Sequence, residues 1–335
     1  MSEIKYSKKD FISNSEVRWC PGCGDYSILA SIQAAICNIE KKREDICFVS
    51  GIGCSSRFPY YMDTYGMHTI HGRAPAIASG LKVHNPNLSV WVATGDGDGL
   101  SIGGNHMIHT LRRNIDLNIV MFNNEIYGLT KGQYSPTTKK GTKTKSSPWG
   151  SLDRPFNPAA LTLGAGSTFY ARTIDTDPKH MQMCFERAAA HKGTSFVEVY
   201  QNCVIFSNKI HDAYTSRLTR DENTVRLEHG KPMIFGKKLD KGIMLSGVTP
   251  KVVTLGEDGI TEKDLMVHDE NDHNEAFILS NMRFPELPVP IGVFRDVERC
   301  VYDIDHEAQM AEVKESKGEG KMQNLLKSGS TWTIE

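Results

Sequence analysis

The sequence lacks an excess of charge of either sign, an apolar run of membrane length and a recognisable leader. Lys and Arg total 39 against 40 Asp and Glu, for a net charge of -1. This balance predicts no attraction to nucleic acid or to a charged membrane surface. No apolar segment approaches the ~20 residues that cross a bilayer, and residues 1–6 have no signal-peptide core or cleavage pattern. We therefore expect a cytoplasmic protein that binds neither nucleic acid nor membrane.

A disulfide framework is not expected either. The chain has eight cysteines, but a reducing cytoplasm keeps thiols free. What is present is a globular chain of 335 residues with 39% hydrophobic content, which is enough to bury a substantial core. The character of the sequence changes after Cys203. We therefore predict a binding domain over residues 1–210 and a C-terminal extension, which contacts another subunit, over residues 211–335.

The motif Gly-Asp-Gly-Asp-Gly occupies residues 95–99. An apolar run of strand length, 89–94, precedes it, and a second run, 117–122, comes shortly before Asn124. The residues between them predict a helix over 101–113. A strand, helix and strand of this length form a parallel crossover, which places Asp96 and Asn124 at the carboxyl ends of neighbouring strands. We predict a doubly wound, mostly parallel α/β sheet with helices on both faces.

The residue types at these strand ends predict a divalent cation and a diphosphate. Glycines let the backbone approach phosphate oxygens, and the helix that follows offers free N–H groups. Mg²⁺ prefers oxygen ligands, which the Asp96 carboxylate, the Asn124 amide and a backbone carbonyl near Ile126 would supply. A tight turn and a loop cap without a ligand are the alternative. The two motifs together, at this spacing, favour a binding site.

Four cysteines are placed to reach the same edge of the sheet. Cys20 and Cys23 share the tight turn Trp-Cys-Pro-Gly-Cys-Gly at 19–24, and Cys54 and Cys203 each follow a strand-like apolar run. Four thiolates converging there could hold one [4Fe–4S] cluster. Ordinary buried cysteines, a zinc site and a redox disulfide remain alternatives. We interpret the other four as ordinary buried cysteines: Cys37, Cys47, Cys184 and Cys300.

Five motifs in order, at residues 19–24, 51–57, 68–74, 95–99 and 123–133, carry a family resemblance. They resemble the β subunit of 2-oxoacid:ferredoxin oxidoreductases, most closely the 2-oxoglutarate type. The match runs from about Arg18 to Cys203, and no comparable motif is recognised beyond residue 210.

The resemblance implies a sheet of the thiamine diphosphate-binding type and a thiamine diphosphate enzyme. This chain would supply the diphosphate-binding domain and one [4Fe–4S] cluster, and an α subunit would complete the active site in an (αβ)2 heterotetramer. The implied Mg²⁺ ligands are Asp96, Asn124 and the carbonyl of Ile126. The implied iron ligands are Cys20, Cys23, Cys54 and Cys203. The implied cofactor-lining residues are Ile52, Gly53, Cys54, Ser55, His71, Gly95, Asp96, Gly97, Asp98, Asn124, Gly128 and Leu129.

The reaction that the resemblance implies is oxidative decarboxylation of 2-oxoglutarate with coenzyme A. Its products are succinyl-CoA and CO2, and the electrons pass through the cluster to ferredoxin. The reverse direction is that of the reductive TCA cycle. The glutamate that activates the cofactor resembles an α-subunit contribution, so this chain alone should be inactive. The rival interpretations are an enzyme of this family for pyruvate or another 2-oxoacid, a non-redox thiamine enzyme, and an iron–sulfur electron carrier.

Three further side chains are catalytic candidates. The Arg57 guanidinium suits a carboxylate such as the distal one of 2-oxoglutarate. Lys131 could meet the 2-oxoacid carboxylate or a coenzyme A phosphate, and His71 could contact the diphosphate or relay protons. A salt bridge, a solvated lysine and a core histidine are the respective alternatives. Residues 131–157 predict a long loop that is either a lid or partner contact, or a solvated segment.

Overall fold

The computed structural model describes residues 5–334. Residues 1–4 and 335 lie outside it. The first four positions of the predicted domain, which are also most of the segment 1–6 examined for a signal peptide, therefore fall outside the described residues. None of the helices within residues 5–334 is long and apolar enough to cross a membrane.

The regular elements within residues 5–334 are thirteen strands, twelve α-helices and five single-turn 3-10 helices. The strands are β1 (Ile46–Ser50), β2 (Tyr65–His68), β3 (Ser89–Gly95), β4 (Asn118–Asn123), β5 (Ile126–Tyr127), β6 (Gln133–Tyr134), β7 (Phe169–Ile174), β8 (Ser195–Tyr200), β9 (Thr224–Leu227), β10 (Ile234–Phe235), β11 (Lys241–Ser246), β12 (Thr249–Thr254) and β13 (Val289–Asp296). The α-helices are α1 (Asp25–Ala35), α2 (Phe58–Tyr61), α3 (Ala74–His84), α4 (Asp96–Leu100), α5 (Gly104–Arg113), α6 (Pro158–Gly164), α7 (Pro178–Ala190), α8 (Asp212–Thr215), α9 (Arg220–Asn223), α10 (His273–Ser280), α11 (Tyr302–Lys317) and α12 (Met322–Leu326). The 3-10 helices are Lys8–Phe11, Ile36–Asn38, Arg43–Asp45, Ser55–Arg57 and Glu262–Asp264.

Eleven of the strands form one sheet in the order β12-β11-β10-β9-β13-β7-β8-β4-β3-β1-β2. Strands β2, β1, β3, β4, β8 and β7 are parallel to their neighbours within this run. The chain runs outward from β1 to β2 and then returns to β3 on the other side of β1. Ligands bind where the strand order reverses in this way, outside the carboxyl ends of the strands. The predicted doubly wound, mostly parallel sheet is confirmed.

Both faces of the parallel region are covered, which explains why its strands are apolar at successive positions. In β4, Ile119 and Met121 pack on one face, against α5 and α6, while Val120 and Phe122 pack on the other, with α1 and α7. Parallel strands buried on both sides read as continuous hydrophobic runs. This burial fixes the strands, and through them the positions of the loops that follow.

The predicted helix over 101–113 is shorter and is preceded by another. Helix α4 covers Asp96–Leu100, the chain bends, and α5 begins at Gly104. The bend is held because the Gly103 amide donates to the Asp98 carbonyl, at 3.1 Å. A Cβ on Gly72 would lie 2.4 Å from the Gly103 nitrogen. Because neither Gly72 nor Gly103 has a side chain, the loop after β2 can approach the bend between α4 and α5 closely.

Residues beyond 210 contribute five strands to the same sheet. The apolar run at 289–294 belongs to β13. That strand is antiparallel to β7 and parallel to β9. Helices α11 and α12 follow it and are largely exposed.

A buried ion pair joins Arg172 on β7 to Glu198 on the neighbouring strand β8. The Glu198 carboxylate accepts from Arg172 Nε at 2.7 Å and Asn123 Nδ2 at 2.7 Å, and from the Tyr170 hydroxyl. Arg172 is 3% exposed and Glu198 is fully buried. Removing one partner of such a pair leaves an uncompensated charge in the interior.

We expect Arg172→Met to lower the free energy of unfolding by about 3–5 kcal/mol, because Glu198 then remains buried and unpaired. The double variant Arg172→Met with Glu198→Gln should lose clearly less, since no charge is left alone. Urea unfolding of the full-length chain measures both. A double variant at least as unstable as the single one would contradict this account.

Candidate cofactor site and cysteine cavity

Four neighbouring strands deliver the predicted site residues to one edge of the sheet. The register aligns Ser50 with Ala93, Gly95 with Phe122 and Asn123 with Tyr200, near the carboxyl ends of β1, β3, β4 and β8. The loops that follow these strands, at 51–57, 96–103, 124–132 and 201–207, therefore begin side by side. Each of them carries at least one residue that the sequence motifs single out.

A cavity of about 60 Å³, which we call the cofactor cavity, lies between these loops. Its walls contain all twelve implied cofactor-lining residues: Ile52, Gly53, Cys54, Ser55, His71, Gly95, Asp96, Gly97, Asp98, Asn124, Gly128 and Leu129. Ile126, the implied third Mg²⁺ ligand, lines it too, as do Asp25 and Tyr127. The structure thus brings together residues that are up to 105 positions apart, from Asp25 to Thr130.

The Asp96 carboxylate is 2% exposed. Burial raises its pKa to about 6, and hydrogen bonds from Ser135 and Thr137 oppose the shift. Both hydroxyls lie 2.5 Å from the same oxygen, Oδ2. A buried carboxylate held through one oxygen is well suited to meet a cation with the other.

Asn124 and Ile126 are brought together by a tight turn. The Asn124 side-chain oxygen accepts from the Ile126 amide at 3.1 Å, and Glu125 between them has φ +56°. Asn and Asp side chains commonly cap a turn two residues on in this way. A carboxylate, an amide oxygen and a main-chain carbonyl on one cavity form a donor set that Mg²⁺ accepts, with phosphate and water completing the octahedron. The residues present therefore fit magnesium diphosphate.

Asp98 fixes the walls of the cofactor cavity. Its carboxylate accepts from the amides of Ile52, at 3.1 Å, and Gly72, at 2.7 Å, and from the Thr94 hydroxyl, at 2.8 Å. The His71 Nδ1 lies 2.9 Å from its Oδ1, and the imidazole is 38% exposed. Asp98 therefore joins three chain segments, and His71 lies beside its carboxylate.

A second cavity, of about 200 Å³, is lined by Cys20, Cys23, Cys54 and Cys203, and we call it the cysteine cavity. Gly128 lies between two of them, because a Cβ there would be 3.6 Å from the sulfur atoms of both Cys54 and Cys203. Burial raises the pKa of the Cys54 thiol to about 12 and that of Cys23 still further.

Hydrogen bonds from the main chain and from one indole hold the cysteine segments together. The Trp19 indole N–H donates to the Cys54 carbonyl at 2.7 Å, and the Gly24 amide donates to the Asn202 carbonyl at 3.2 Å. The turn between Cys20 and Cys23 closes with a 3.0 Å bond from the second amide to the first carbonyl. These hydrogen bonds bring the three segments around the cavity.

The four cysteines that line the cysteine cavity do not form a site for a single metal ion in the described part of the chain. Within residues 5–334, no group of three or more His, Cys, Asp or Glu side chains is arranged to hold one metal ion. A zinc site would need sulfur atoms about 2.3 Å from one centre. Four cysteines around a larger cavity match the requirement of an iron–sulfur cluster, which takes four thiolates.

Comparisons with known proteins show which family the chain resembles. The family model described as the C-terminal TPP-binding domain of thiamine pyrophosphate enzymes matches residues 51–199. The 2-oxoglutarate oxidoreductase subunit KorB of Mycobacterium tuberculosis is 47% identical over 332 residues, covering 98% of this chain and 88% of that one. A 2-oxoacid:ferredoxin oxidoreductase subunit beta of Saccharolobus solfataricus is 41% identical over 235 residues, covering 68% and 76%.

The chain belongs to the 2-oxoacid:ferredoxin oxidoreductase β subunits. A solved structure agrees over nearly the whole length. It is a 2-oxoglutarate:ferredoxin oxidoreductase from Magnetococcus marinus with 2-oxoglutarate, coenzyme A and succinyl-CoA bound. The TM-score is 0.75 at 33% identity, and the match covers 97% of this chain and 96% of that one. The predicted family is confirmed, and the chain is a subunit of an enzyme.

The two cavities of this β subunit share a wall. Five residues line both: Asp25, Cys54, Asn124, Gly128 and Leu129. The cofactor cavity and the cysteine cavity are therefore direct neighbours rather than separate sites on one surface.

Arg57 and Lys131 line the cysteine cavity and not the cofactor cavity. Arg57 is half-buried and makes no side-chain hydrogen bond or ion pair within the described part of the chain. Its charge opposes the rise in the pKa of Cys54. Lys131 is exposed, with φ +75°.

Sequence reasoning missed four contributors to the site. Ser135 and Thr137 lie in the stretch 131–157, and hydroxyls in a polar loop carry no visible signal. Asp25 follows the first cysteine pair and lines both cavities, where burial raises its pKa to about 7. Tyr127 stands within a motif but had no assigned role.

Among the cysteines interpreted as ordinary and buried, Cys47 and Cys184 are buried, Cys37 is half-buried and Cys300 is exposed, so the interpretation was wrong for Cys300.

Gly97 is required because Tyr127 packs on it. The Tyr127 hydroxyl donates to the Gly97 carbonyl at 2.9 Å, and a Cβ at 97 would lie 2.3 Å from the tyrosine ring. We expect Gly97→Ala to displace Tyr127, to destabilise the chain by about 1–3 kcal/mol, and to reduce the thiamine diphosphate bound by the assembled enzyme. Thermal unfolding and cofactor content measure these effects.

Gly104→Ala is the matched control, because a Cβ at 104 meets no atom within 4 Å. It should keep its cofactor and its stability. Full cofactor content in the Gly97→Ala enzyme would show that Tyr127 does not shape the cavity.

Proposed function

We propose that the chain is the β subunit of a 2-oxoglutarate:ferredoxin oxidoreductase. With an α subunit it converts 2-oxoglutarate, coenzyme A and two oxidised ferredoxins into succinyl-CoA, CO2, a proton and two reduced ferredoxins. The reaction reverses when ferredoxin is sufficiently reducing. The observation that carries this proposal is the wall shared by the cofactor cavity and the cysteine cavity. The names of the mycobacterial relative and of the Magnetococcus structure support 2-oxoglutarate as the substrate.

The cofactor cavity holds the diphosphate end of thiamine diphosphate in this proposal. When bound, thiamine diphosphate supplies the nucleophile and the electron sink that decarboxylation of a 2-oxoacid requires. Asp96, Asn124 and the carbonyl of Ile126 bind Mg²⁺, which anchors the diphosphate. His71, which lies beside Asp98 and is partly exposed, contacts a diphosphate oxygen or carries a proton.

In this proposal the cysteine cavity holds a [4Fe–4S] cluster. The cluster would lie between the cofactor cavity and the protein surface, so that it can accept electrons from the first and pass them on at the second. Cys54 stands in the wall shared with the cofactor cavity, whereas Cys20 is exposed. A cluster bound by both would face the reacting centre on one side and the surface on the other. Ferredoxin, docking near Cys20, is therefore the proposed electron acceptor.

Arg57 and Lys131 are the proposed substrate contacts. Each is a cation on the cysteine cavity, close to the shared wall, and the Arg57 guanidinium has no protein partner among residues 5–334. A guanidinium binds a carboxylate through two parallel hydrogen bonds. We assign Arg57 to the distal carboxylate of 2-oxoglutarate. Lys131 is assigned to the other carboxylate or to a coenzyme A phosphate.

The α subunit completes the site in an (αβ)2 assembly. Large apolar side chains are exposed in the stretch 131–157 and in the extension, as expected of a surface that a partner covers. Trp149 is 92% and Leu152 83% exposed in the stretch 131–157, and Trp332 is 83% exposed near the end of the chain. We propose that these residues meet the α subunit, with the assembled enzyme in the cytoplasm.

The rival functions explain less of the geometry. A non-redox thiamine enzyme would not need four cysteines beside the cofactor cavity, and an electron carrier would not need Asp96 and Asn124 beside the cysteines. The choice between 2-oxoglutarate and pyruvate depends on the substrate contacts.

Replacing Cys54 by Ser in the anaerobically purified complex should remove iron, acid-labile sulfide and the broad visible absorption, because a cluster needs all four thiolates. The same result is expected at Cys20, Cys23 and Cys203. Cys300→Ser is the control and should keep all three signals, since its thiol is exposed and lines neither cavity. Unchanged iron in a folded Cys54→Ser complex would exclude that residue as a ligand.

Replacing Arg57 by Ala should raise the KM for 2-oxoglutarate about 10- to 100-fold, the cost of a charged hydrogen bond, and leave the KM for pyruvate nearly unchanged. Only 2-oxoglutarate has a second carboxylate. Coenzyme A-dependent dye reduction by the complex measures both.

The control is Arg18→Ala, because Arg18 lines the same cavity but pairs with Glu16 at 2.8 Å. Equal effects of Arg57→Ala on the two substrates would remove Arg57 from specificity. Faster turnover of pyruvate by the unmodified enzyme would overturn the choice of 2-oxoglutarate.

A further inference from the structure

Two hydroxyl groups from a distant part of the chain bind one oxygen of Asp96. Ser135 and Thr137 are 39 and 41 residues away in sequence, and both donate to Oδ2 at 2.5 Å. They are 2% and 5% exposed, so water does not compete for these bonds. Within the described residues, the stretch 131–157 is thus anchored beneath the cofactor cavity rather than solvated throughout.

The hydroxyls are themselves held by a buried network. Thr137 Oγ1 lies 3.1 Å from the Asn123 side-chain oxygen, and the Asn123 amide group donates to Glu198, which is paired with Arg172. The Ser135 amide donates to Thr138 Oγ1 at 2.7 Å, and that hydroxyl donates to the Glu125 carbonyl at 2.6 Å. Ser135 is therefore held by the turn that carries it, and Thr137 lies against an Asn123 side chain that is itself hydrogen-bonded to the buried ion pair.

We propose that Ser135 and Thr137 are positioning residues for Mg²⁺. By occupying Oδ2 they fix the rotation of the Asp96 carboxylate and leave its other oxygen directed to the metal. Neither hydroxyl is itself a ligand. The inference rests on the proposed function, in which Asp96 binds the Mg²⁺ of thiamine diphosphate.

The physical basis is the rigidity that Mg²⁺ demands. Mg²⁺ requires nearly ideal octahedral geometry with oxygen atoms at about 2.0–2.1 Å, whereas Ca²⁺ accepts longer and less regular arrangements. A carboxylate that is free to rotate should therefore lose more affinity for Mg²⁺ than for Ca²⁺. A hydroxyl that only stabilised the fold would affect both ions equally. Selectivity between the two ions separates positioning from a structural role.

The test uses the αβ complex after divalent ions have been removed. The complex is titrated with Mg²⁺ or Ca²⁺ at a fixed concentration of thiamine diphosphate, and calorimetry measures the affinity for each ion. Removing an outer partner of a metal ligand typically costs about 10–100-fold in metal affinity. We expect Thr137→Val to weaken Mg²⁺ binding by that factor and Ca²⁺ binding by clearly less. Thr137→Ser, which keeps the hydroxyl, should restore Mg²⁺ binding.

Thr142→Val is the matched control, because the same change removes a hydroxyl in the same stretch that donates only to the Lys139 carbonyl. Ser135→Ala provides a second variant that removes the other donor, in case Thr137→Val does not fold. Iron content reports separately whether each complex is intact.

Three results would overturn the inference. The first is Mg²⁺ affinity in Thr137→Val and Ser135→Ala equal to that of Thr142→Val. The second is an equal loss for Mg²⁺ and Ca²⁺, which would indicate a structural role. The third is failure of the unmodified complex to bind thiamine diphosphate with Mg²⁺. Only the third also overturns the proposed function, so the two failures are distinguishable.

Discussion

The Asp98 carboxylate, 2% exposed, accepts hydrogen bonds from three parts of the chain. One of them is the Ile52 amide, and the loop that it fixes continues to Cys54, whose carbonyl in turn receives the Trp19 indole N–H. A single buried carboxylate therefore connects the walls of the cofactor cavity to the frame of the cysteine cavity. Buried charges are stable only when their hydrogen-bonding capacity is met. A loop that moved away would leave the carboxylate short of a hydrogen bond, so these bonds hold the loops in position. The placement of both cavities follows from that constraint.

Much of the fold and of the cofactor cavity was predictable because the carboxyl ends of parallel strands must meet at one edge. Asp96 and Asn124 follow consecutive strands that are direct neighbours, and local pattern was enough to bring them together. Cys54 and Cys203 were harder, since β1 and β8 are separated by β3 and β4 and strand order cannot be read from apolar runs. For the cysteines, residue spacing left several alternatives, and the family resemblance favoured one of them.

The unpredicted parts depend on contacts between segments that are distant in sequence. Ser135 and Thr137 act through Asp96, and nothing in a polar stretch identifies which hydroxyls become buried. The glycine at 97 was expected to admit phosphate, but Tyr127 also needs the space. The bend before α5 depends on the approach of Gly72 to Gly103. Each of these features is set by tertiary packing, which overrides the local signals that a sequence displays.

The position of β13 between β7 and β9 has a consequence for biosynthesis. While the chain emerges from the ribosome, β7 and β8 can pair with the earlier strands, but the outer side of β7 has no partner until β13 has been synthesised. An open strand edge of this kind is a template for pairing with other chains, and closures between remote segments are slow. The nascent β subunit therefore passes through a stage in which this edge is open and can pair with other chains.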